Sequence, residues 1–334
     1  MTASGFRALV LRKREGGLAA AVETLAAGAL PAGEVLLKAA YSSLNYKDAM
    51  AVGNRGIIRT FPAVPGIDCA GTVLASTDPK WAEGDEVILT GWGVGERVWG
   101  GLSQRVRAQG AWLVPLPKGM TPRSAMALGT AGLTAMLSVM ALERHGVHPG
   151  GGEVLVTGAS GGVGSVAVAL LAQRGFQVVA MSGKPAEAER LLALGAVRVV
   201  GREEYATPAR PGRFTLEAEA FQGAVDTIGG PTLASIIARL AYGGAVAACG
   251  LAGGTEVDTH VFPFILRGVA LLGIDSVRCP ALVRLEAWRR LALELPMELL
   301  DDSVRELGLE EVPAECARML AGEARGRVVV DLGR

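Results

Sequence analysis

The residues with the clearest chemical use lie in a glycine-rich turn within Val154–Gly164, which reads Val-Leu-Val-Thr-Gly-Ala-Ser-Gly-Gly-Val-Gly. Apolar residues on both sides predict a strand before the turn and a helix over 163–174 after it. A helix N-terminus offers backbone N–H groups to a pyrophosphate, and glycines let phosphates approach the backbone. The spacing Ala159-x-Gly161-x-x-Gly164 therefore predicts a dinucleotide-binding turn, with Ala replacing the first glycine. A plain glycine-rich connection is the alternative.

The residues after the next predicted strand, 176–181, indicate which dinucleotide is bound. NAD-binding domains carry a carboxylate at this point for the ribose hydroxyls, whereas this chain has Ser182-Gly183-Lys184. A hydroxyl and an ammonium attract a 2′-phosphate, and Arg202 after the third predicted strand adds a second cation. We therefore predict NADPH as the cofactor. The alternative is that Lys184 is a solvated loop residue.

Two kinds of predicted structure must position these residues. The first 120 residues hold short apolar runs bounded by Gly, Pro, Asp or Asn, which predicts a β-rich domain. After residue 124, helical stretches alternate with apolar strands, and after Ile274 this repeat stops. Such alternation is typical of a parallel, doubly wound sheet. We predict an α/β fold with a β-rich substrate domain (1–124 and 276–334) and an inserted Rossmann NADP-binding domain (125–275), the active site lying in the cleft between them.

The composition of the chain argues against several other classes of protein. Half of the 334 residues are hydrophobic and a fifth are charged, so a folded chain is expected. With 33 basic and 33 acidic residues there is no overall field favouring nucleic acid. The absence of a 20-residue apolar run and of a signal-peptide pattern predicts no membrane partner and a cytoplasmic location. Four scattered cysteines and three histidines predict no metal site.

Several longer motifs carry a family resemblance. They are Leu-Asn-Tyr-Lys-Asp-Ala at 44–49, Phe-Pro-Ala-Val-Pro-Gly-Ile-Asp at 61–68, Leu-Thr-Gly-Trp-Gly-Val-Gly-Glu at 89–96, Gly-Thr-Ala-Gly-Leu-Thr-Ala-Met at 129–136, Cys-Gly-Leu-Ala-Gly-Gly at 249–254 and Phe-Pro-Phe-Ile-Leu-Arg-Gly at 262–268. With the glycine-rich turn, they resemble the medium-chain dehydrogenase/reductase superfamily over essentially the whole chain. Within it they resemble the NADPH-dependent acryloyl-CoA reductases, a group also described as quinone oxidoreductases. The resemblance implies a GroES-like first domain. It also implies a zinc-free enzyme, because Gly66-Ile67-Asp68 stands where zinc-dependent members have Gly-His-Glu and their cysteine-rich lobe is missing.

The resemblance implies reduction of acryloyl-CoA to propanoyl-CoA by hydride transfer, which needs a donor at the thioester oxygen and a proton source. Tyr46 would contact the cofactor and is a candidate proton donor. Asn45 would donate to the carbonyl, Asp48 would orient Asn45 or a basic partner, and Arg327 would supply a fixed cation. The alternatives are a simple turn for Asn45 and Tyr46, a helix cap for Asp48 and a surface charge for Arg327.

The resemblance also implies the cofactor contacts. The pyrophosphate would lie on the turn at Ser160, Gly161, Gly162, Val163 and Gly164, and the nicotinamide side would be lined by Tyr46, Thr134, Leu251, Ile265 and Ser276. Ile265 has an equal alternative as a core residue. A homodimer joined through the last Rossmann strands is expected, with 269–274 as the joining segment. Two rival functions stay open: a quinone or enone oxidoreductase, and a non-catalytic NADPH-binding protein.

Overall fold

The chain forms two compact units. The computed structural model describes residues 5–205, 216–301 and 304–334. The first unit comprises Met1–Thr130, Val277–Ala292 and Asp301–Arg334, and the second comprises Ala131–Ser276 and Leu293–Leu300. The segment Leu293–Leu300 thus groups with the second unit, although the sequence pattern assigns it to the first.

Fifteen strands and nine α-helices occur in the described part of the chain. The strands are β1 Phe6–Arg14, β2 Gly17–Leu25, β3 Val35–Leu44, β4 Asp68–Ser76, β5 Glu86–Thr90, β6 Arg105–Ala108, β7 Leu113–Pro115, β8 Glu153–Val156, β9 Gln177–Ser182, β10 Ala196–Gly201, β11 Phe221–Asp226, β12 Leu240–Ala248, β13 Ala270–Gly273, β14 Val304–Leu307 and β15 Arg327–Asp331. The helices are α1 Tyr46–Val52, α2 Pro122–His145, α3 Gly162–Gln173, α4 Ala188–Ala193, α5 Gly230–Arg239, α6 Phe262–Arg267, α7 Ala281–Glu294, α8 Glu298–Asp301 and α9 Val312–Leu320.

The first unit is built on a sheet with the strand order β14-β15-β3-β4-β5-β7, and β6 also pairs with β3. Strands β4 and β15 both run antiparallel to β3 on its two sides. The end of β3 therefore lies beside the start of each neighbour. This arrangement brings Asn45, Asp68 and Arg327 to one end of the sheet, while apolar residues such as Leu37 and Val330 fill the core.

The second unit is a six-stranded sheet in the order β10-β9-β8-β11-β12-β13, and all its pairs are parallel. Counted from β8, the order is that of a complete doubly wound dinucleotide-binding domain, so the predicted α/β fold is confirmed. The direction of winding changes between β8 and β11, where ligands bind at the carboxyl ends of such strands. Helix α3, which follows β8, therefore begins at the expected ligand edge.

Helix α2 is interrupted at Gly129, whose backbone is not helical (φ 53°, ψ −152°). Among the described residues, it is the one helix whose length and apolar composition would allow it to cross a membrane. Its most apolar stretch is 89% buried inside the protein, as expected of a core helix, so the feature is weak evidence for a span.

Candidate active site and dinucleotide site

The glycine-rich turn has the geometry that a pyrophosphate requires. Helix α3 begins at Gly162 after Gly161 in an extended conformation, and no side chain in the described part of the chain caps this terminus. The first N–H groups of the helix are therefore available to an anion. A Cβ on Gly164 would lie 2.3 Å from the carbonyl oxygen of Gly158, so only glycine permits this approach of helix and strand. The turn thus fits the dinucleotide prediction.

The end of β9 brings together the residues expected near the adenosine ribose. The hydroxyl of Ser182 donates to that of Ser160 at 3.1 Å, and the backbone N–H of Lys184 donates to Ser182 Oγ at 3.1 Å. Arg202 is exposed, and its Cδ lies 3.6 Å from the point that a Cβ on Gly183 would occupy. The strand end thus carries a hydroxyl, is followed by Lys184 with Arg202 nearby, and lacks the carboxylate of NAD-specific domains.

Asn45 and Asp48 form a capping box at the start of α1. Asp48 Oδ2 accepts the backbone N–H of Asn45 at 2.9 Å, and Asp48 Oδ1 accepts those of Gly66 and Ile67 at 3.1 and 2.9 Å. Asp48 is completely buried. Burial, with the nearby charge of Asp68, raises the pKa of Asp48 to about 7, while the hydrogen bonds from Asn45 and Ile67 oppose the rise. The alternative of a helix cap thus describes the contacts of Asp48, which also fixes the loop before β4.

Asp68 belongs to this cluster, although the sequence motifs do not single it out as a site residue. Its buried carboxylate accepts from Asn45 Nδ2 at 2.8 Å, from the Ser43 hydroxyl at 2.7 Å and from the backbone N–H of Thr130 at 2.8 Å. Its other oxygen accepts from the Thr130 hydroxyl. The signal that could have found it is an acidic residue inside the apolar run at 64–70, because a charge in a buried strand needs partners.

Arg327 is buried at the start of β15, with 4% of its surface exposed, so the surface-charge alternative is wrong. Its Nε donates to the Ala127 carbonyl at 2.9 Å, and its Nη1 lies 3.3 Å from both the Leu44 carbonyl and Asn45 Oδ1. Burial lowers the pKa of Arg327, and the negative charges of Asp68 and Asp48 oppose this shift. The amide of Asn45 is therefore held from both sides, with its nitrogen on Asp68 and its oxygen on Arg327.

The residues expected on the nicotinamide side differ in exposure. Tyr46 is 60% exposed and Leu251 is 66% exposed. Ile265 is 68% exposed, which contradicts the alternative that it belongs to the core. Thr134 is buried and its carbonyl accepts the Ser138 hydroxyl at 2.8 Å.

Six of the predicted site residues fall into two hydrogen-bonded clusters, one in each unit. Asn45, Asp48 and Arg327 share the cluster of the first unit. Ser160 and Ser182 share that of the second unit with the backbone of Lys184.

No group of His, Cys, Asp or Glu suited to a metal ion occurs among the residues that the structure describes. The cysteines at 69, 249, 279 and 316 are all free. Burial raises the pKa of Cys69, Cys249 and Cys316 to about 12 in each case, so these thiols stay protonated. The two clusters therefore offer acid–base and hydrogen-bonding chemistry together with a dinucleotide turn.

Two family models match the chain in the order that this architecture requires. The alcohol dehydrogenase GroES-like domain matches residues 31–118, and the zinc-binding dehydrogenase model matches residues 162–294. Fold and site together define a two-domain dehydrogenase with a GroES-like unit and a dinucleotide-binding unit, which confirms the predicted fold class.

Full-length relatives narrow the assignment. The chain is 51% identical to acrylyl-CoA reductase AcuI of Ruegeria pomeroyi, over 98% of the chain and 99% of that protein. It is 47% identical to the putative quinone oxidoreductase YhfP of Bacillus subtilis, over 98% of this chain and 99% of that protein. The chain therefore belongs to the medium-chain dehydrogenase/reductase family, in the group that contains these two proteins.

Solved structures agree with this placement. The YhdH oxidoreductase of Salmonella enterica in complex with NADP superimposes with a TM-score of 0.94 at 50% identity, covering 97% of this chain and 99% of that one. The structure of Bacillus subtilis YhfP, which has NAD bound, superimposes with a TM-score of 0.93 at 46% identity, covering 98% of this chain and 99% of that one.

Proposed function

We propose that this chain is an NADPH-dependent reductase of short α,β-unsaturated acyl-CoA thioesters, converting acryloyl-CoA to propanoyl-CoA. The observation that carries the proposal is its 51% identity to an acrylyl-CoA reductase over 98% of the chain. The strand end with Ser182 and Lys184 supports the choice of the phosphorylated cofactor, because a hydroxyl and an ammonium suit a 2′-phosphate better than a carboxylate does.

NADPH, when bound, supplies the hydride that the β-carbon of the substrate receives. Negative charge then develops on the thioester oxygen, and preorganised donors lower the barrier. We assign this task to Asn45, supported by Arg327 and Asp48. The Nδ2 of Asn45 donates to Asp68 at 2.8 Å, whereas its distances to Ser43 Oγ and Asp48 Oδ2 are both 3.4 Å. One amide hydrogen is thus firmly held, and the weakly engaged one is available to the thioester oxygen.

The exposed phenol of Tyr46 is assigned two roles, a contact to the cofactor and the source of the proton for the α-carbon. Tyr46→Phe separates them. If Tyr46 donates the proton, kcat falls while the dissociation constant for NADPH, measured by fluorescence titration, stays unchanged. A loss of NADPH affinity with unchanged kcat would leave Tyr46 as a contact alone.

The proposed cofactor contacts keep the set expected from the sequence. These residues lie at the glycine-rich turn, at the ends of β9 and β10, on α2 and α6, and in the segments after β12 and β13. They are Ser160, Gly161, Gly162, Val163, Gly164, Ser182, Gly183, Lys184, Arg202, Thr134, Leu251, Ile265 and Ser276.

A second candidate function is quinone or enone reduction, favoured by the name of YhfP, which is 47% identical. A third is a non-catalytic NADPH-binding protein. The buried cluster of Asp48, Asp68 and Arg327 argues against the third, because buried charges rarely stabilise a fold more than apolar residues would. Because burying these charges costs folding free energy, a catalytic role explains the cluster better than a purely structural role does.

One experiment separates these functions. NADPH oxidation is followed at equal enzyme concentration with acryloyl-CoA, with a quinone and without an acceptor, and the acyl product is identified by mass spectrometry. The proposal expects turnover with acryloyl-CoA and formation of propanoyl-CoA. Turnover with the quinone alone would support the second function, and binding of NADPH without turnover would support the third.

We also infer a cytoplasmic, zinc-free enzyme with a substrate domain at 1–124 and 276–334 and an NADP-binding domain at 125–275. A homodimer is proposed through β13, which is the edge strand of its sheet and exposes 42% of Leu271. Sedimentation of the wild type and of Leu271→Lys tests the dimer, since a charge on a paired edge should give a monomer.

A further inference from the structure

A partly enclosed ion pair, in which 25% of the Arg190 side chain is exposed, lies next to the dinucleotide turn and takes no part in the proposed cofactor contacts. Glu187 is 7% exposed, and its Oε2 accepts from Arg190 Nε at 2.8 Å. A pair of the same type and spacing, Glu286 and Arg289 on α7, is exposed, with 42% and 58% of the two side chains accessible. The Glu187–Arg190 pair is therefore enclosed in a way that a surface pair of this spacing is not.

The guanidinium of Arg190 connects helix α4 to the glycine-rich turn. Its Nη2 donates to the carbonyl oxygen of Ser160 in the glycine-rich turn at 3.3 Å. The hydroxyl of Ser160 in turn contacts Ser182 Oγ at 3.1 Å, and Ser182 Oγ accepts the N–H of Lys184 at 3.1 Å. A hydrogen-bonded chain thus runs from Arg190 to the end of β9.

The position of these hydrogen bonds relates Arg190 to the adenosine ribose of the cofactor. In a doubly wound dinucleotide domain, the side chain at the end of the second strand meets the ribose 2′ position, which here is the position of Ser182. A phosphate on that oxygen would lie beside the serine hydroxyls, and Ser160 also accepts from Arg190 through its carbonyl oxygen. Nη1 of Arg190 is enclosed and has no hydrogen-bond acceptor within residues 5–205, 216–301 and 304–334, so one donor of the guanidinium is unused.

The pair also affects the local charge. Arg190 pairs with the buried carboxylate of Glu187 and offsets a negative charge that repels a 2′-phosphate, which itself carries up to two negative charges. Loss of Arg190 removes a cation from the neighbourhood of the turn and also removes one partner of this carboxylate. The two effects act in the same direction.

We propose that Arg190, held in place by Glu187, is a specificity-determining residue that selects the 2′-phosphorylated adenosine ribose together with Lys184 and Arg202. The inference rests on the proposed use of NADPH and names a further residue for that selection. Arg190 acts on the half of the cofactor that does no chemistry, so its effect appears in affinity and not in kcat.

Calorimetric titration of the full chain with adenosine 2′,5′-bisphosphate and with 5′-AMP tests the proposal. Arg190→Met keeps the length of the side chain without its charge, Arg190→Lys restores a cation, and Glu187→Gln combined with Arg190→Met removes both charges. The control is Arg289→Met, which breaks the exposed pair of the same spacing.

For Arg190→Met we expect at least a tenfold weaker affinity for the bisphosphate, about one lost charge-assisted contact, with 5′-AMP affinity within about twofold of wild type. Arg190→Lys and the double variant should each recover part of the loss, and Arg289→Met should bind both probes as the wild type does. Equal losses for both probes would overturn the proposal, because Arg190 would then act only by holding the turn. Unchanged bisphosphate affinity would overturn it as well. If the wild type binds neither probe, the NADPH assignment itself has failed.

Discussion

The substitution Asp68→Asn tests whether the buried charges of the first unit act as one system. An amide at this position preserves the shape of the side chain. Its oxygen can accept the N–H groups of Thr130 and Asn45, and its NH2 can face the Thr130 hydroxyl, which is able to accept. The main change is therefore the loss of the negative charge that faces Arg327.

The magnitude follows from the burial of the partner. Arg327 is 4% exposed and keeps its contacts to backbone carbonyls, but it loses a neighbouring countercharge. Removing one partner from a buried set of opposite charges costs about 3–5 kcal/mol. Because the remaining carbonyl contacts and Asp48 compensate in part, we expect a loss of about 3 kcal/mol in the free energy of unfolding.

Tryptophan fluorescence during urea unfolding measures this loss in the right unit, since Trp81, Trp92, Trp99, Trp112 and Trp288 all belong to the first unit. The double variant Asp68→Asn with Arg327→Met removes both charges and should be more stable than the sum of the single losses, by about 2 kcal/mol. A loss under about 1 kcal/mol for Asp68→Asn, or additive losses in the cycle, would refute the reasoning.

Three individual groups allow further tests. Lys184→Asp should raise the KM for NADPH about tenfold or more and change the KM for NADH much less, because one charge-assisted contact to the 2′-phosphate becomes a repulsion. Equal changes in the two KM values would contradict the assignment of Lys184 to the 2′-phosphate. The folded-state pKa of Asp48 is raised from 3.8 to about 7, so the native state holds a proton that the unfolded chain releases between these values. The free energy of unfolding of the wild type should therefore fall, relative to that of Asp48→Asn, as pH rises through this interval, with a slope of up to about 1.4 kcal/mol per pH unit. The measurement is the urea midpoint of both proteins as a function of pH. Parallel curves would show that Asp48 does not titrate in this interval. Gly164→Ala should weaken NADPH binding about tenfold or more in fluorescence titration, because a Cβ would lie 2.3 Å from the Gly158 carbonyl, whereas Gly28→Ala, which meets nothing within 4 Å, should bind normally.

The parts of the fold that the sequence predicts well are those specified by neighbouring residues. The turn at Ser160–Gly164, the strand before it and helix α3 follow from one short motif with a clear apolar pattern. The apolar runs predict strands at 6–12 and 34–40 and none between them, so strand β2 is missed. Its Ala-rich sequence, Gly-Leu-Ala-Ala-Ala-Val-Glu-Thr-Leu, has little strand propensity and is held by pairing with β1. The sequence pattern predicts a strand at 245–249, whereas β12 begins at Leu240, because Gly243-Gly244 resembles a turn when it is read locally.

The candidate site is harder to predict because its contacts are distant in sequence. Asn45 and Arg327 are separated by 282 positions, and only the antiparallel arrangement of β3 and β15 brings them together. The importance of Asp68 depends likewise on Thr130 and Ser43, which no local pattern joins to it. The exposure of Ile265 and the burial of Arg327 are decided by packing, so local sequence leaves both open.

The place of β15 in the first sheet has a consequence for biosynthesis. This strand is encoded near the end of the chain, yet it lies between β3 and β14 and contributes Val328 and Val330 to the core. A nascent polypeptide on the ribosome therefore cannot complete the first unit until residues 327–331 have emerged from the exit tunnel. The parallel sheet of the second unit has all its strands by Gly273, so we expect the middle of the chain to fold before its two ends meet.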